Sequence, residues 1–291
     1  MKNEKLLLQG MVAAMFCWGL SWSSGKILSG YGSATNISFI RFAVTTISLV
    51  VLLVVIKEDL KFNKKGWWVL AGASICLSVY TFFFLKGLKV GYSGAGGVLT
   101  TTLNPIVTFI LTLAITLQKP NKKETIGIVI GAIAGCILLK IWEHSDALFN
   151  GGNIFFLFAT ILWAILSRFT SMSKNYSSSL TFSLWLYALC SVNMFFVADY
   201  SETINILKTA DTKFWVNMIF SSTITTSIAT TFYFYATAQI GVNKASSFIF
   251  LVPLSAALGA WMFLGEIPQW HTIVGGILGV IAVYIITIKS K

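Results

Sequence analysis

Apolar runs alternate along the whole chain with short clusters of lysine, asparagine, glycine and acid. A helix that crosses a bilayer needs about 20 apolar residues. Ten runs approach that length, at residues 7–28, 35–56, 67–87, 91–117, 124–141, 151–171, 179–198, 213–237, 243–264 and 271–288. They are too long and too evenly apolar for barrel strands, which alternate over about 10 residues. The pattern predicts an all-α membrane protein of ten transmembrane helices, joined by segments too short to hold a soluble domain. The first run, with Lys2 and Lys5 before it, resembles a secretory leader. It lacks a convincing small-residue cleavage site, so it is read as a retained span.

Polar residues inside the runs fall at helical spacing and so share faces. Trp18, Ser21, Trp22 and Gly25 form one stripe, and Thr160, Trp163 and Ser167 form another. The third run carries Cys76, Tyr80 and Phe84, and the fourth carries Thr100, Asn104, Thr108 and Thr112. The eighth carries Ser222, Thr226, Thr230, Tyr233 and Thr237. Leucine would serve better against lipid, so these faces are expected to point inward. They serve either as hydrogen bonds between helices or as the wall of a half-polar, aromatic cavity. The candidate substrate-binding residues are Trp18, Trp22, Tyr80, Thr100, Asn104, Trp163, Thr230 and Tyr233.

The chain also repeats itself. "PIVTFILTLAITLQKPNKKETIGIVIG" (105–131) aligns with "PLSAALGAWMFLGEIPQWHTIVGGILG" (253–279) at an offset of 148 residues. The match pairs Pro105 with Pro253, Pro120 with Pro268, Gly127 with Gly275 and Gly131 with Gly279, using all 4 prolines of the chain. Trp18 and Trp163 correspond at an offset of 145. Two five-helix units, 1–145 and 146–291, account for the length. Because five is odd, the second unit enters the membrane from the opposite side, which makes the repeats inverted. That architecture belongs to secondary transporters with a site near the midplane. Pro105 and Pro253 each remove a helical donor, from the carbonyls of Thr101 and Ile249, and are read as hinges. Glycines four apart (Gly127, Gly131, Gly135; Gly275, Gly279) are read as close helix contacts.

Composition fits this picture: 56% hydrophobic and 11% charged residues, with a mean hydropathy of +0.80. The net charge of +11 lies mostly in the segments on the side of the N-terminus, such as Lys57 to Lys65 and Lys119 to Lys123. That bias predicts cytoplasmic N- and C-termini and needs no nucleic acid partner. The 4 cysteines lie within runs without paired spacing, so neither a disulfide framework nor a metal site is expected, and no cofactor is implied. Trp67, Trp68, Trp142, Trp215 and Trp270 flank runs, as interfacial belt residues do. No acid sits mid-run, so exchange or facilitated diffusion without an obligatory proton relay is expected. Arg41, about six residues into the second run, reads either as an interfacial anchor that snorkels outward or as a cationic guide for a substrate carboxylate.

With "FCWGLSWSSGK", "FIRF", "LKVGYSGAGGVLTTTLNP", "QIGVNKASSFIFLVP" and "LGEIPQWHTIVGG" in this order, the chain resembles the drug/metabolite transporter superfamily, in its ten-span EamA-type branch. The resemblance covers nearly the full length. It implies export or exchange of small organic solutes, often amino acids or related metabolites, across the plasma membrane (the inner membrane of a Gram-negative bacterium). Where the second copy has Glu266, the first has Gln118. Multidrug or nucleotide-type efflux is the alternative within transport, and a channel or scaffold the alternative outside it. An enzyme is not expected, since the two histidines are dispersed. The lipid bilayer is the one obligatory partner; a homodimer is neither required nor excluded.

Overall fold

The computed structural model describes residues 2–90, 93–117, 121–140, 142, 153–257 and 269–287. Among these, the backbone is almost wholly helical and contains no strand. The helices are α1 (Lys2–Ser29), α2 (Ala34–Ile56), α3 (Trp67–Val90), α4 (Ser93–Thr116), α5 (Lys122–Leu139) and α6 (Asn153–Ser171). They continue with α7 (Ser179–Phe195), α8 (Tyr200–Thr209), α9 (Thr212–Ile219) and α10 (Thr231–Ile240), then α11 (Val242–Ala257) and α12 (Trp270–Thr287). A π-helical segment, Phe220–Thr230, joins α9 to α10 without a break.

Several starts are written in the sequence as side-chain caps, which satisfy backbone N–H groups at a helix's first turn. Ser33, Asn121, Ser178, Asp199 and Asp211 cap α2, α5, α7, α8 and α9. Asn121 and Glu124 form a reciprocal capping box.

By length and apolarity, 6 described helices can cross a bilayer, namely α1, α2, α3, α4, α6 and α12. Counting α7 and α8 as one span bent by 113° gives up to 7. The difference from the ten expected runs has local causes. α5 spans 18 residues but opens with Lys122, Lys123 and Glu124, which shortens its apolar part. α7 has 17 residues and stops at Phe195, where the chain turns into the amphipathic α8, an element the hydropathy pattern had absorbed into a connection. Residues 213–237, expected as one α-helix, combine α9, the π segment and α10. α11 ends at Ala257 within the described residues. Gln118, Pro120, Glu266 and Pro268 lie outside the described residues.

The prolines act differently from each other. α4 continues as helix through Pro105. Before Pro253 the chain tightens into a 3-10 turn, Phe248–Leu251, and the Ile249 carbonyl expected to lack a donor accepts the N–H of Val252 instead.

The principal pairings are α3 with α6, α1 with the 212–240 run, α2 with α7, and α5 with α12. The α5–α12 contact is reciprocal. A Cβ on Gly127 would lie 2.4 Å from the Ile286 side chain and 3.0 Å from the Ala282 carbonyl oxygen. One on Gly275 would lie 2.5 Å from Leu138 and 3.0 Å from the Ala134 carbonyl oxygen. Each of these residues stands 148 positions from its counterpart. Gly127 faces Ala282 while Ala134 faces Gly275, so the two helices run antiparallel.

α2 is tied at one end to α8 and at the other to the start of α7. At the start of α2, the Glu202 carboxylate accepts the Ser33 N–H and the Asn36 amide, each at 2.6 Å, and Asn36 Oδ1 accepts the Asp199 N–H at 2.9 Å. At the opposite end, Thr181 Oγ1 donates to the Asp59 carbonyl at 2.6 Å, Trp185 Nε1 to the Leu60 carbonyl at 3.0 Å, and the Asn63 N–H to the Tyr176 carbonyl at 3.1 Å.

Close to the first of these ties, the Tyr31 hydroxyl donates to Asp211 Oδ1 at 2.7 Å. That bond, aided by the Phe214 N–H, holds the Asp211 carboxyl below the usual carboxylate range and raises the Tyr31 phenol. A depressed carboxyl contributes stability above its unfolded value, about 3.9, and loses it as pH falls through the lower folded value. Tyr31→Phe should therefore melt below the wild type at pH 7, and the gap should close as detergent-solubilised protein is acidified below about pH 3.9. A gap that persists unchanged at pH 3 would refute this account. At the glycine contact, Gly127→Leu should lower the melting temperature by about 5 °C, the effect of an overpacked interface. Val129→Leu, on the exposed face of the same helix, should leave it unchanged.

Candidate functional site

The faces that the polar stripes mark converge on one cavity. Its wall comprises Trp18, Ser21 and Trp22 from α1; Arg41 and Phe42 from α2; Leu77, Tyr80, Thr81 and Phe84 from α3; and Thr100, Thr101 and Asn104 from α4. The other side is Trp163 from α6, Tyr187 from α7, Thr225, Thr226 and Thr230 from the π segment, and Ile249 and Val252 from α11. The empty space, about 690 Å³, includes open solvent and is far too small for a macromolecule. Seven of the eight sequence-predicted residues lie on this wall. Tyr233 stands behind it, fully buried, with its hydroxyl 3.1 Å from Ser167 Oγ.

Aromatic rings form the centre. Trp18 and Trp163 meet edge to face at 5.0 Å. Each also packs on a tyrosine from the other half of the chain: Trp18 on Tyr233 at 5.0 Å, and Trp163 on Tyr80 at 4.7 Å. Trp22 turns aside onto Phe84 at 4.9 Å. Ring pairs at these separations hold one another's orientation beyond simple area burial. Glycine admits the close approach: a Cβ on Gly19 would fall 2.3 Å from Ser255 Oγ and 2.7 Å from the Ala256 backbone nitrogen, so α1 lies directly on α11.

Most hydroxyls near the cavity are satisfied by their own helix. In the π segment, Thr226, Ser227 and Thr230 donate to carbonyls five residues back, at 2.7, 3.0 and 2.9 Å. Trp18 Nε1 donates to Thr230 Oγ1 at 3.1 Å, joining α1 to that segment. Asn104 reaches the Thr160 carbonyl at 3.4 Å and accepts from Thr108 at 3.4 Å. The hydroxyls of Thr100 and Thr225 have no hydrogen-bond partner among the described residues.

Arg41 is the wall's one strongly basic group. Its guanidinium donates to Thr226 Oγ1 at 3.1 Å, so of the two sequence readings the structure gives the inward-facing one. Ser38 and Thr45, one turn to either side, are fully buried, which confirms that this face of α2 points into the bundle. Phe42, Thr225 and Tyr187 were not singled out from the sequence. Thr225 is one residue off a marked stripe, and α2 and α7 carry no stripe of their own. Among the described residues no group of three or more His, Cys, Asp or Glu side chains could hold a metal.

Comparison with known proteins agrees with this picture. The model of the EamA-like transporter family matches the chain twice, over residues 6–140 and 150–288. The uncharacterized transporter YoaV of Bacillus subtilis is 22% identical over 278 residues, spanning 94% of this chain and 93% of that protein. An uncharacterized transporter of Archaeoglobus fulgidus is 23% identical over 289 residues, spanning 96% of each. A crystal structure with 14% identity superposes at a TM-score of 0.68 over 97% of this chain and 96% of that one, a likeness of fold.

The bond between Trp18 and Thr230 can be isolated. In a double-mutant cycle of Trp18→Phe and Thr230→Val, measured by chemical unfolding in micelles, the coupling should be about 1 kcal/mol, the usual net worth of a buried hydrogen bond. Strict additivity would remove the bond from the account.

Proposed function

This chain belongs to the EamA-like transporter family, and we propose that it is a secondary carrier of small organic solutes, of the class of amino acids and related metabolites, working by alternating access. That it is a multi-pass membrane transporter follows from the family and the apolar helices. The observation that carries the finer reading is the cavity itself. Its wall draws on residues from both sides of position 145, with matched tryptophans meeting at the centre.

Ten spans in two inverted repeats, 1–145 and 146–291, is the arrangement we propose for the framework. Three observations support it. The family model matches twice in succession. α5 and α12 run antiparallel through contacts that exchange equivalent residues, as a two-fold axis requires. The pairing of α3 with α6 is answered by that of the 212–240 run with α1, as interchange of the halves demands. Rocking of one half against the other would expose the cavity to each face in turn, with Pro105 and the turn before Pro253 as the flexing points. Lysine bias supports cytoplasmic chain ends, and the plasma membrane is the location we propose with them. No carboxylate lines the described wall, so exchange without an obligatory proton relay is the simplest mode.

Counterflow into proteoliposomes, with a panel of labelled amino acids and nucleosides, tests the reading. At least one solute should be taken up against unlabelled solute. Trp18→Ala, Asn104→Leu and Trp163→Ala should each reduce that flux by about tenfold, the cost of about 1.4 kcal/mol of lost binding, while membrane insertion stays intact. Wild-type flux in all three variants would overturn the cavity assignment. Sustained single-protein conductance would make the protein a channel.

A further inference from the structure

The carrier reading leaves one feature of the wall without a task, and that feature narrows the solute. Arg41 brings a guanidinium to a cavity inside a membrane bundle, where ionic groups are costly and mark substrate or ion paths. Among the described residues its hydrogen bond goes to a neutral hydroxyl, Thr226 Oγ1. The one ion pair among the described residues is Lys61 with Asp59, on the exposed surface, and none of the described wall residues is acidic. The positive charge of Arg41 is thus left unneutralised by the described protein.

A guanidinium presents its N–H groups as a planar fork that matches a carboxylate with two parallel bonds. The same wall carries Thr100 and Thr225, whose hydroxyls are buried without partners among the described residues. It also carries the rings of Trp18, Trp163 and Tyr80. Resting on the carrier reading, we infer that this cavity takes an organic anion whose carboxylate sits on Arg41 and whose flat apolar body lies against these rings. No described wall residue offers a carboxylate to an ammonium group, so among the described residues a net anion complements the site better than a zwitterion or a cation. This narrows the proposed class from amino acids at large to their deaminated, carboxylate-bearing relatives.

Three probes with the same phenyl ring separate the possibilities: phenylpyruvate, an anion; phenylalanine, a zwitterion; and phenethylamine, a cation. In proteoliposome counterflow, wild-type protein should exchange labelled phenylpyruvate, and excess unlabelled phenylalanine or phenethylamine should compete at least tenfold less well than unlabelled phenylpyruvate. Arg41→Gln should lose phenylpyruvate exchange by at least tenfold. Arg41→Lys, which keeps the charge without the fork, should retain exchange with a higher half-saturating concentration. Elution and melting of each variant are recorded beside the flux; should Arg41→Gln misfold, the ranking of the three probes on wild type and Arg41→Lys decides the matter. Wild-type preference for phenylalanine or phenethylamine, or full phenylpyruvate exchange by Arg41→Gln, overturns the inference and leaves the carrier reading standing. Exchange of none of the three, together with failure of the wider amino acid and nucleoside panel, removes both.

Discussion

Helices in a bilayer gain little from hiding apolar surface, because lipid is as apolar as they are, so close packing must hold them together. In this chain that packing depends on glycine. Gly127 and Gly275 let α5 and α12 touch at each other's carbonyls, and Gly19 lets α1 lie against the backbone at Ala256. Trp18 sits next to Gly19 on the helix that this contact draws inward, and the ring contact with Trp163 follows from the approach. A methyl group at either kind of crossing would push the helices apart and loosen the site that they enclose.

The same shortage of water governs the polar groups. Each hydroxyl inside the bundle needs an acceptor within the protein, and most find one on their own helix, as Thr45, Thr160 and Thr112 do. The π segment adapts this economy to a wider helix, with hydroxyls returning to carbonyls five residues back. Such segments often accompany functional sites, and here its Thr225, Thr226 and Thr230 form part of the cavity wall. Among the polar groups left over from these bonds, Thr100 and Thr225 belong to the cavity wall together with Arg41.

How much of this was legible in the sequence follows from the physics of each feature. Helical spans reveal themselves by hydropathy because lipid imposes it, and the inward faces of α1, α4 and α6 reveal themselves because hydroxyls avoid lipid. Seven of the eight residues marked by that logic reached the wall. Tyr233 did not, since a stripe gives the face of a helix and not the depth at which a side chain ends. The π segment was illegible because its composition, rich in serine and threonine, reads as an ordinary polar stripe. α8 was missed because a ten-residue amphipathic helix carries too little apolar length to register. Arg41 stayed ambiguous because a long side chain near a helix end can reach either water or the interior, and only its bond to Thr226 decides between them.

The ties at the two ends of α2 are built of different stuff. One relies on a carboxylate, Glu202, gripping two N–H groups, whereas the other relies on neutral donors meeting backbone carbonyls. Bonds to an ionised acceptor are roughly twice as strong as neutral ones. The framework is therefore fastened more tightly at one end of α2 than at the other. On the proposed alternating-access reading, such a difference would divide time unequally between the two sides of the membrane even before any solute arrives.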